Sequence, residues 1–177
     1  MSETAVHGAD GIVLRAETDA DIDAIEVLTL VAFFEVEHSR HDEQRIVAAL
    51  RADGALAVSR VAEHEGYVVG HAAASPVTLS DGTPGWYGLG PVSVGPGHRR
   101  RGIGTRLVGA VLDELRARGA AGCVVLGNPA FYGRCGFHAE PGLVLPGAPP
   151  GCFQAIAFGD RLLPLAEVEY HPAFAAG

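Results

Sequence analysis

Lysine is absent from this chain of 177 residues: all 13 basic residues are arginine, against 21 acidic ones, and the formal net charge is -8. An acidic chain argues against nucleic acid as the main partner, because binding to a phosphate backbone relies on positive charge. No apolar run approaches the length of a membrane span, and the N-terminus carries acids instead of the apolar stretch of an export signal. We therefore expect a cytoplasmic protein with neither nucleic acid nor membrane as a partner.

Cysteine is also scarce. Cys123, Cys135 and Cys152 form no CxxC pair, and three thiols cannot all pair within one chain. Reduced thiols in the cytoplasm are the simplest interpretation, and no set of candidate ligands predicts a metal site. The length and the 48% hydrophobic composition suit one domain with a full core and are short for two. We expect a flexible tail over 1–10 and a single domain over 11–177.

Hydrophobic periodicity predicts a mixed α/β chain and not a doubly wound sheet. A strand, a helix of more than a dozen residues and another strand form a right-handed crossover, so strands 86–94 and 123–126 should be parallel. The predicted helices are 18–34, 42–52, 101–118 and 130–135. The predicted strands are 12–16, 56–62, 67–79, 86–94, 123–126, 143–145, 153–158 and 168–170.

Strand 86–94 is interrupted by Gly88, Gly90 and Pro91. Because proline has no N–H to donate, it does not fit an undisturbed central strand. We therefore place a β-bulge near Gly90 and Pro91 and expect the strand to bend there.

The start of helix 101–118 has the features of an anion site. It lacks a capping Ser, Thr, Asp or Asn, which leaves its first backbone N–H groups without a side-chain acceptor. Gly102 and Gly104 let a bulky group approach the backbone, and the helix dipole favours negative charge there. Formal positive charge comes from Arg99, Arg100, Arg101 and Arg106. The pattern predicts a phosphate or pyrophosphate ligand.

Other nucleotide-binding motifs do not fit the same segment. Leu107 stands where a dinucleotide-binding fold would have its third glycine, and the chain contains no Gly-Lys-Ser/Thr. These residues exclude the Rossmann and P-loop interpretations.

Two motifs and the chain ending carry a family resemblance. Arg99-Arg100-Arg101-Gly102-Ile103-Gly104 resembles the Gln/Arg-x-x-Gly-x-Gly/Ala signature of the GNAT superfamily, the Gcn5-related N-acetyltransferases, which follows a bulged strand. The stretch 127–137, G-N-P-A-F-Y-G-R-C-G-F, resembles the second motif, with a tyrosine a few residues before Gly-Phe. The final V-E-Y-H-P-A-F resembles the ending of the YhbS-like bacterial branch. The resemblance covers 12–174.

This resemblance implies the GNAT fold, an α/β (α+β) architecture. Its sheet is mixed and mostly antiparallel, has six to seven strands, and contains a splayed parallel pair with flanking helices. The implied activity is transfer of an acetyl group from acetyl-coenzyme A to a primary amine of a small molecule or peptide, by direct attack and without a metal. A non-catalytic coenzyme A-binding module for sensing or assembly is the alternative, as is an enzyme for longer acyl chains. A dimer is common in the family, which leaves a homodimer open.

The resemblance also assigns the cofactor site. The pyrophosphate would lie on backbone amides from Arg100 to Thr105, and the pantetheine arm would extend between the bulged strand and strand 123–126. In the gap between splayed strands, pantetheine amides replace the missing strand partner. The implied coenzyme A-binding residues are Val92, Ser93, Val94, Arg99, Arg100, Arg101, Gly102, Ile103, Gly104, Thr105, Asn128 and Tyr132.

For the chemistry, the resemblance makes Tyr132 the general acid near the coenzyme sulfur, and the N–H of Val94 or a neighbour polarises the thioester carbonyl. Ordinary core packing of Tyr132 is the alternative. Trp86 and Tyr87 either line the acceptor pocket or only cover the sheet.

The general base is open. Many relatives carry a carboxylate on the bulged strand, whereas 86–94 contains none. A water relay, or an amine that arrives neutral, would also serve. On its strand His71 alternates with apolar residues, which favours a core histidine. The candidates are Glu35, Glu37, His38 and His71.

Overall fold

A computed structural model describes residues 5–37 and 39–175. Its helices are α1 (Ile22–Phe33), α2 (Glu43–Ala52), α3 (Ile103–Ala117) and α4 (Pro129–Tyr132). Its strands are β1 (Val6–His7), β2 (Ile12–Ala16), β3 (Val58–His64), β4 (Tyr67–Pro76), β5 (Thr78–Leu79), β6 (Trp86–Val94), β7 (Gly122–Leu126), β8 (Leu143–Val144), β9 (Phe153–Ala157) and β10 (Ala166–Glu169). Short 3-10 turns cover Asp19–Asp21, Pro96–His98, Gly133–Cys135 and Pro172–Phe174.

The strands form two sheets. Seven strands pair in the order β1-β2-β3-β4-β6-β7-β9, and β5, β10 and β8 form a smaller sheet. Neighbours in the large sheet are antiparallel except β6 and β7, which α3 connects and which run parallel. The predicted crossover and the mixed, mostly antiparallel sheet are therefore confirmed.

The bulge and the splay lie in the same part of the sheet. The register of β4 against β6 shifts between Ala72 and Ala74, opposite Gly90 and Pro91, as the proline predicted. Pairing of β6 with β7 covers only the stretch from Trp86 to Gly88. Beyond it no described strand pairs with β6 on the β7 side, while β7 continues against β9.

The helices pack on both faces of the large sheet. Val61 of β3 packs with Ile25 of α1 and Val47 of α2, whereas the next residue, Ala62, belongs to the core under α3. Because successive side chains of a strand point to opposite faces, α1 and α2 cover the face opposite α3. The core under α3 is closed to solvent, since Leu107 is 0% exposed.

The small sheet shares the face of α1 and α2. Trp86 packs with its strands, whereas Tyr87, its neighbour on β6, packs in the α3 core. Trp86 is also pressed against β7, since a Cβ on Gly122 would lie 2.5 Å from its Cη2. Of the two interpretations of this aromatic pair, covering the sheet is the one observed.

The N-terminal segment differs from the expected loose tail. Val6 and His7 pair with β2, and the Gly8 N–H donates to the Ile12 carbonyl at 2.9 Å. Arg106 holds this segment from α3, because its Nη1 lies 3.0 Å from Oδ2 of Asp10. Arg106 was expected to add charge to the anion site, but it is committed to this ion pair and does not line the cleft described below.

Two element boundaries also differ. Helix α3 begins at Ile103 and not at 101, because Gly102 adopts a left-handed φ of 73°. The predicted strand 67–79 divides after Pro76, and Thr78 then joins the small sheet against Glu169. A proline within a strand removes a donor from the ladder, which accounts for the break.

Asp21 is a buried acid whose ionisation contributes to folding stability. It is 6% exposed, and its carboxylate accepts from Arg15 Nη1 and Nη2 at 2.7 and 2.9 Å. The hydrogen bonds from Arg15 lower the pKa of Asp21 to about 2. Because the folded-state pKa is depressed, its stabilisation is present above pH 4 and is lost as the pH falls through 2.

We expect Asp21→Asn to lower the free energy of unfolding by about 2 kcal/mol at pH 7. The decline in stability between pH 4 and 2 should also become shallower, because the titrating group is gone. Urea denaturation across that range measures both effects. Asp19→Asn, an exposed acid two residues away, is the matched control. If the stability of Asp21→Asn depended on pH as that of wild type does, Asp21 would not be the group that titrates in this range.

Candidate active site

A cleft of about 1600 Å³ opens where β6 and β7 separate. One end is formed by the residues before α3 and its first turn, and one wall by α4. The segment from the end of α1 into α2, β10 and the chain after it also line the cleft. The polar and charged side chains that line it are Arg40, Glu43, Thr78, Ser80, Arg99, Arg100, Thr105, Asn128, Tyr132, Arg134, Glu167, Glu169, Tyr170 and His171.

The free edge of β6 faces this cleft. The Gly95 N–H donates to the Val69 carbonyl on β4 at 2.9 Å. Because main-chain groups of alternate residues point to opposite edges of a strand, those of Val94 and Val92 point away from β4. Both residues line the cleft, beyond the point where pairing with β7 ends. They are placed to bind an extended ligand as a strand would.

Ser93, also predicted to bind the cofactor, lies elsewhere. It is 2% exposed, stands opposite His71 in the β4–β6 register, and does not line the cleft. Its main-chain groups point toward β4 by the same alternation. The structure therefore does not bring Ser93 to the site.

The first turn of α3 is an uncapped helix start. Gly102 provides no side-chain hydrogen bond, and the first N–H bonded back along the chain is that of Arg106, to the Gly102 carbonyl at 3.1 Å. The N–H groups of Ile103, Gly104 and Thr105 are left without intrahelical acceptors. All three residues line the cleft, so these donors and the positive end of the helix dipole both favour an anion at this place.

The arginines before α3 divide between the cleft and its surroundings. Arg99 and Arg100 line it, and Nη2 of Arg99 also donates to the Ala32 carbonyl in the last turn of α1 at 2.8 Å. Arg101 is exposed and does not line the cleft. This end of the cleft is therefore positive through two of the four predicted arginines.

Tyr132 stands on the opposite wall because of the residues around it. Its ring lies against Gly127, where any side chain would overlap it, and meets Phe131 and Phe137 edge-on with centroids 4.9 and 5.9 Å away. No described residue bonds its hydroxyl. Burial raises the pKa of Tyr132 to about 12, with smaller contributions from Cys135 and Cys123. The hydroxyl is therefore a proton donor at neutral pH.

Asn128 also lines the cleft, and its side-chain oxygen is already hydrogen-bonded within the protein. Its Oδ1 accepts from the Ala130 N–H at 2.9 Å and so caps α4. The side-chain NH₂ and the main chain of Asn128 are what it offers to a ligand.

The three proposed bases within the described residues are not brought to the cleft. Glu35 and Glu37 are exposed and do not line it, and His38 lies outside the described residues. His71 is 0% exposed, with Nε2 2.8 Å from Oγ of Ser59. Burial lowers the pKa of His71 to about 4, so it is neutral, in keeping with the predicted core histidine.

Sequence reasoning missed the carboxylates that do line the cleft. They are Glu43, at the first position of α2, and Glu167 and Glu169, which alternate along β10. The alternating Glu-Val-Glu pattern was the available signal, because it predicts two carboxylates on one face of a strand. The pattern does not show, however, that this strand lies beside the cleft.

Two further findings concern the described residues only. Within 5–37 and 39–175, no three His, Cys, Asp or Glu side chains are grouped so that they would hold a metal ion. None of the helices described is both long enough and apolar enough to cross a bilayer.

Comparison with known proteins defines the class. Residues 22–137 match the Acetyltransferase (GNAT) family, and the chain belongs to that family. It is 34% identical over 170 residues to the uncharacterized N-acetyltransferase YhbS of Escherichia coli K12, a match that covers 92% of this chain and 98% of that protein. The predicted GNAT resemblance and its YhbS-like branch are confirmed.

Solved structures show the same fold. A GNAT family acetyltransferase from Brucella melitensis in complex with acetyl-CoA is 43% identical, with a TM-score of 0.83 and coverage of 93% of this chain and 99% of that chain. Escherichia coli YhbS in complex with CoA is 31% identical, with a TM-score of 0.84 and coverage of 97% and 96%.

Proposed function

We propose that this chain is an N-acetyltransferase that moves the acetyl group of acetyl-coenzyme A to a primary amine of a small molecule or peptide by direct attack. One observation carries the proposal. The uncapped start of α3, the free edge of β6 and the Tyr132 hydroxyl share one cleft. The similar proteins solved with acetyl-CoA and with CoA support the choice of cofactor.

The anionic part of the cofactor suits the start of α3. The N–H groups of Ile103, Gly104 and Thr105 would bind pyrophosphate oxygens, and Arg99 and Arg100 would neutralise their charge. The unpaired main-chain groups of β6 would take the pantetheine amides as an added strand. When bound, the cofactor supplies an activated acetyl group as a thioester.

The chain's part in the chemistry is then to donate protons and to orient the reactants. As the amine nitrogen bonds the carbonyl carbon and the C–S bond breaks, the Tyr132 hydroxyl gives its proton to the departing sulfur. The N–H of Val94, or that of a neighbour on the free edge of β6, would polarise the thioester carbonyl. Each of these donors is already oriented before the reactants arrive.

The acceptor amine would enter from the part of the cleft lined by α2 and β10. Oε2 of Glu43 is buried without a hydrogen-bond partner among the described residues, and Glu167 and Glu169 are exposed in the same part. Negative charge there attracts a protonated amine. We assign the removal of its proton to these carboxylates through water, in place of the candidates that lie outside the cleft.

A free-thiol assay tests the proposed function. Acetyl-CoA is offered with amino acids, polyamines, aminoglycosides and peptides with a free N-terminus, and released thiol is followed spectroscopically. We expect thiol release that requires both the protein and one class of amine, because attack by the amine frees the sulfur. Acetyl-CoA binding without turnover on any amine would favour the non-catalytic module instead. The homodimer and the cytoplasmic location stay predictions.

A further inference from the structure

Tyr170 comes directly after β10 and lines the cleft. Its ring rests on the β6 backbone, since a Cβ on Gly88 would lie 2.5 Å from its Cε1. Phe174 meets the ring with centroids 5.0 Å apart and planes inclined by 63°. These contacts fix the ring, and Tyr170 is one of the residues that line the cleft.

The ring lies at the closed end of the splay. Gly88 is the last β6 residue that pairs with β7, opposite Val124. A chain that starts at the α3 N-terminus and follows the free edge of β6 passes Val94 and then Val92, and runs toward Gly88. The acyl end of a cofactor bound in this direction therefore arrives beside Tyr170.

The Tyr170 hydroxyl is buried and has no hydrogen-bond partner among the described residues. Burial raises the pKa of Tyr170, and the neighbouring Cys123 and Tyr132 raise it further. The group therefore keeps its proton and can act only as a neutral hydroxyl. A buried hydroxyl without a partner is unfavourable, so a ligand that offers an acceptor at this point is bound selectively.

We propose that the Tyr170 hydroxyl donates a hydrogen bond to the carbonyl oxygen of the acetyl group. As the amine nitrogen bonds the carbonyl carbon, the C=O π electrons move onto that oxygen, and they return when the C–S bond breaks. Tyr170 stabilises the developing negative charge and keeps its proton throughout, whereas Tyr132 gives its proton to sulfur. This role rests on the proposed function and places a side-chain donor at the acyl end, beyond the main-chain groups of Val94 and Val92 that would bind the pantetheine arm.

Tyr170→Phe tests this role, because it removes only the hydroxyl and keeps the ring on Gly88. We expect kcat to fall about 10²- to 10³-fold, as for loss of one oxyanion donor. The Kd for CoA, which has no acetyl carbonyl, should stay within about twofold of wild type, since removing one hydrogen bond affects only the ligand that accepts it. Tyr87→Phe is the matched control, because that tyrosine is on the α3 face of β6 and outside the cleft.

Infrared spectroscopy of carbonyl-labelled acetyl-CoA provides a readout that does not depend on turnover. In the wild-type complex the carbonyl band should shift to lower frequency, because an accepted hydrogen bond weakens the C=O bond. Tyr170→Phe should reverse part of that shift, and Tyr87→Phe should not. An unshifted band in the wild-type complex would overturn the role of Tyr170 without any variant.

The remaining outcomes separate this assignment from the proposed function. A wild-type protein that acetylates an amine, with a Tyr170→Phe variant of equal kcat and equal carbonyl frequency, would overturn the assignment alone. A wild-type protein that does not bind acetyl-CoA would overturn the proposed function and this assignment with it.

Discussion

Tyr132→Phe is expected to lower kcat by about 10²- to 10⁴-fold, the usual contribution of a general acid. The coenzyme A affinity should stay close to that of wild type, because phenylalanine keeps the ring between Gly127 and Phe137. What is lost is the proton for the departing sulfur. Steady-state kinetics in the free-thiol assay, with calorimetric titration of CoA, measures the two quantities separately.

The pH dependence provides a second check on Tyr132. Its raised pKa of about 12 keeps the hydroxyl protonated well above neutral pH. An acid is active while it holds its proton, so Tyr132 should cause no loss of kcat between about pH 7 and 10, where free tyrosine begins to ionise. An alkaline limb with a midpoint near 8 would assign the proton to another group.

Tyr67→Phe is the control for this substitution, since that residue is 74% exposed and lies outside the cleft. Loss of CoA affinity in Tyr132→Phe would show that the ring is structural and would contradict the acid role. A variant with unchanged kcat would do the same.

Gly104→Val is expected to weaken coenzyme A binding by about 100-fold, which is about 2.8 kcal/mol at 1.4 kcal/mol for each factor of ten. A Cβ on Gly104 would lie 3.2 Å from Cζ of Phe131 and 3.7 Å from Cγ2 of Val94. The added methyl groups would therefore occupy the space between α3, β6 and α4. Under the proposed function, the pyrophosphate approaches the helix N–H groups through that space.

The chain offers a matched control in the same helix. Gly109 also lies in α3, and nothing stands within 4 Å of a Cβ built there. Gly109→Val therefore makes the same change of residue without filling the cleft. Calorimetry on both variants, with circular dichroism to compare their folds, measures the difference. Equal affinities in a folded Gly104→Val protein and in wild type would contradict the pyrophosphate site.

Local signals were enough for the part of the site that is built from consecutive residues. The missing N–H of Pro91 predicted the bulge, and the lack of a capping side chain before α3 predicted free helix donors. Such features depend on atoms one to four residues apart, so their spacing in the sequence is close to their spacing in space. Even there, the sequence alone did not show which glycine is needed for its backbone conformation and which for the space it leaves. Gly102 is needed for its positive φ, whereas Gly104 leaves space beside Phe131.

The acceptor side was predicted less well, because it is assembled from distant parts of the chain. Glu35 was chosen for following α1 in sequence, but it is exposed outside the cleft, while Glu169 reaches it from β10. Arg106 belongs to the same arginine-rich stretch as Arg99, yet one helical turn directs it to Asp10. Which wall a side chain joins depends on helix rotation and strand pairing.

By itself, the sequence determined the order of the elements, the parallel crossover, the bulge in β6 and the uncapped start of α3. The first two follow from hydrophobic periodicity and the crossover rule, and the last two from a backbone donor that is missing or unpaired within a short stretch. Only the tertiary structure decided that β7 separates from β6 after Gly88, and that Tyr132 and Tyr170 each rest on a glycine at that gap. Those contacts join residues from about 5 to more than 80 positions apart, and long-range packing of the two sheets selects them.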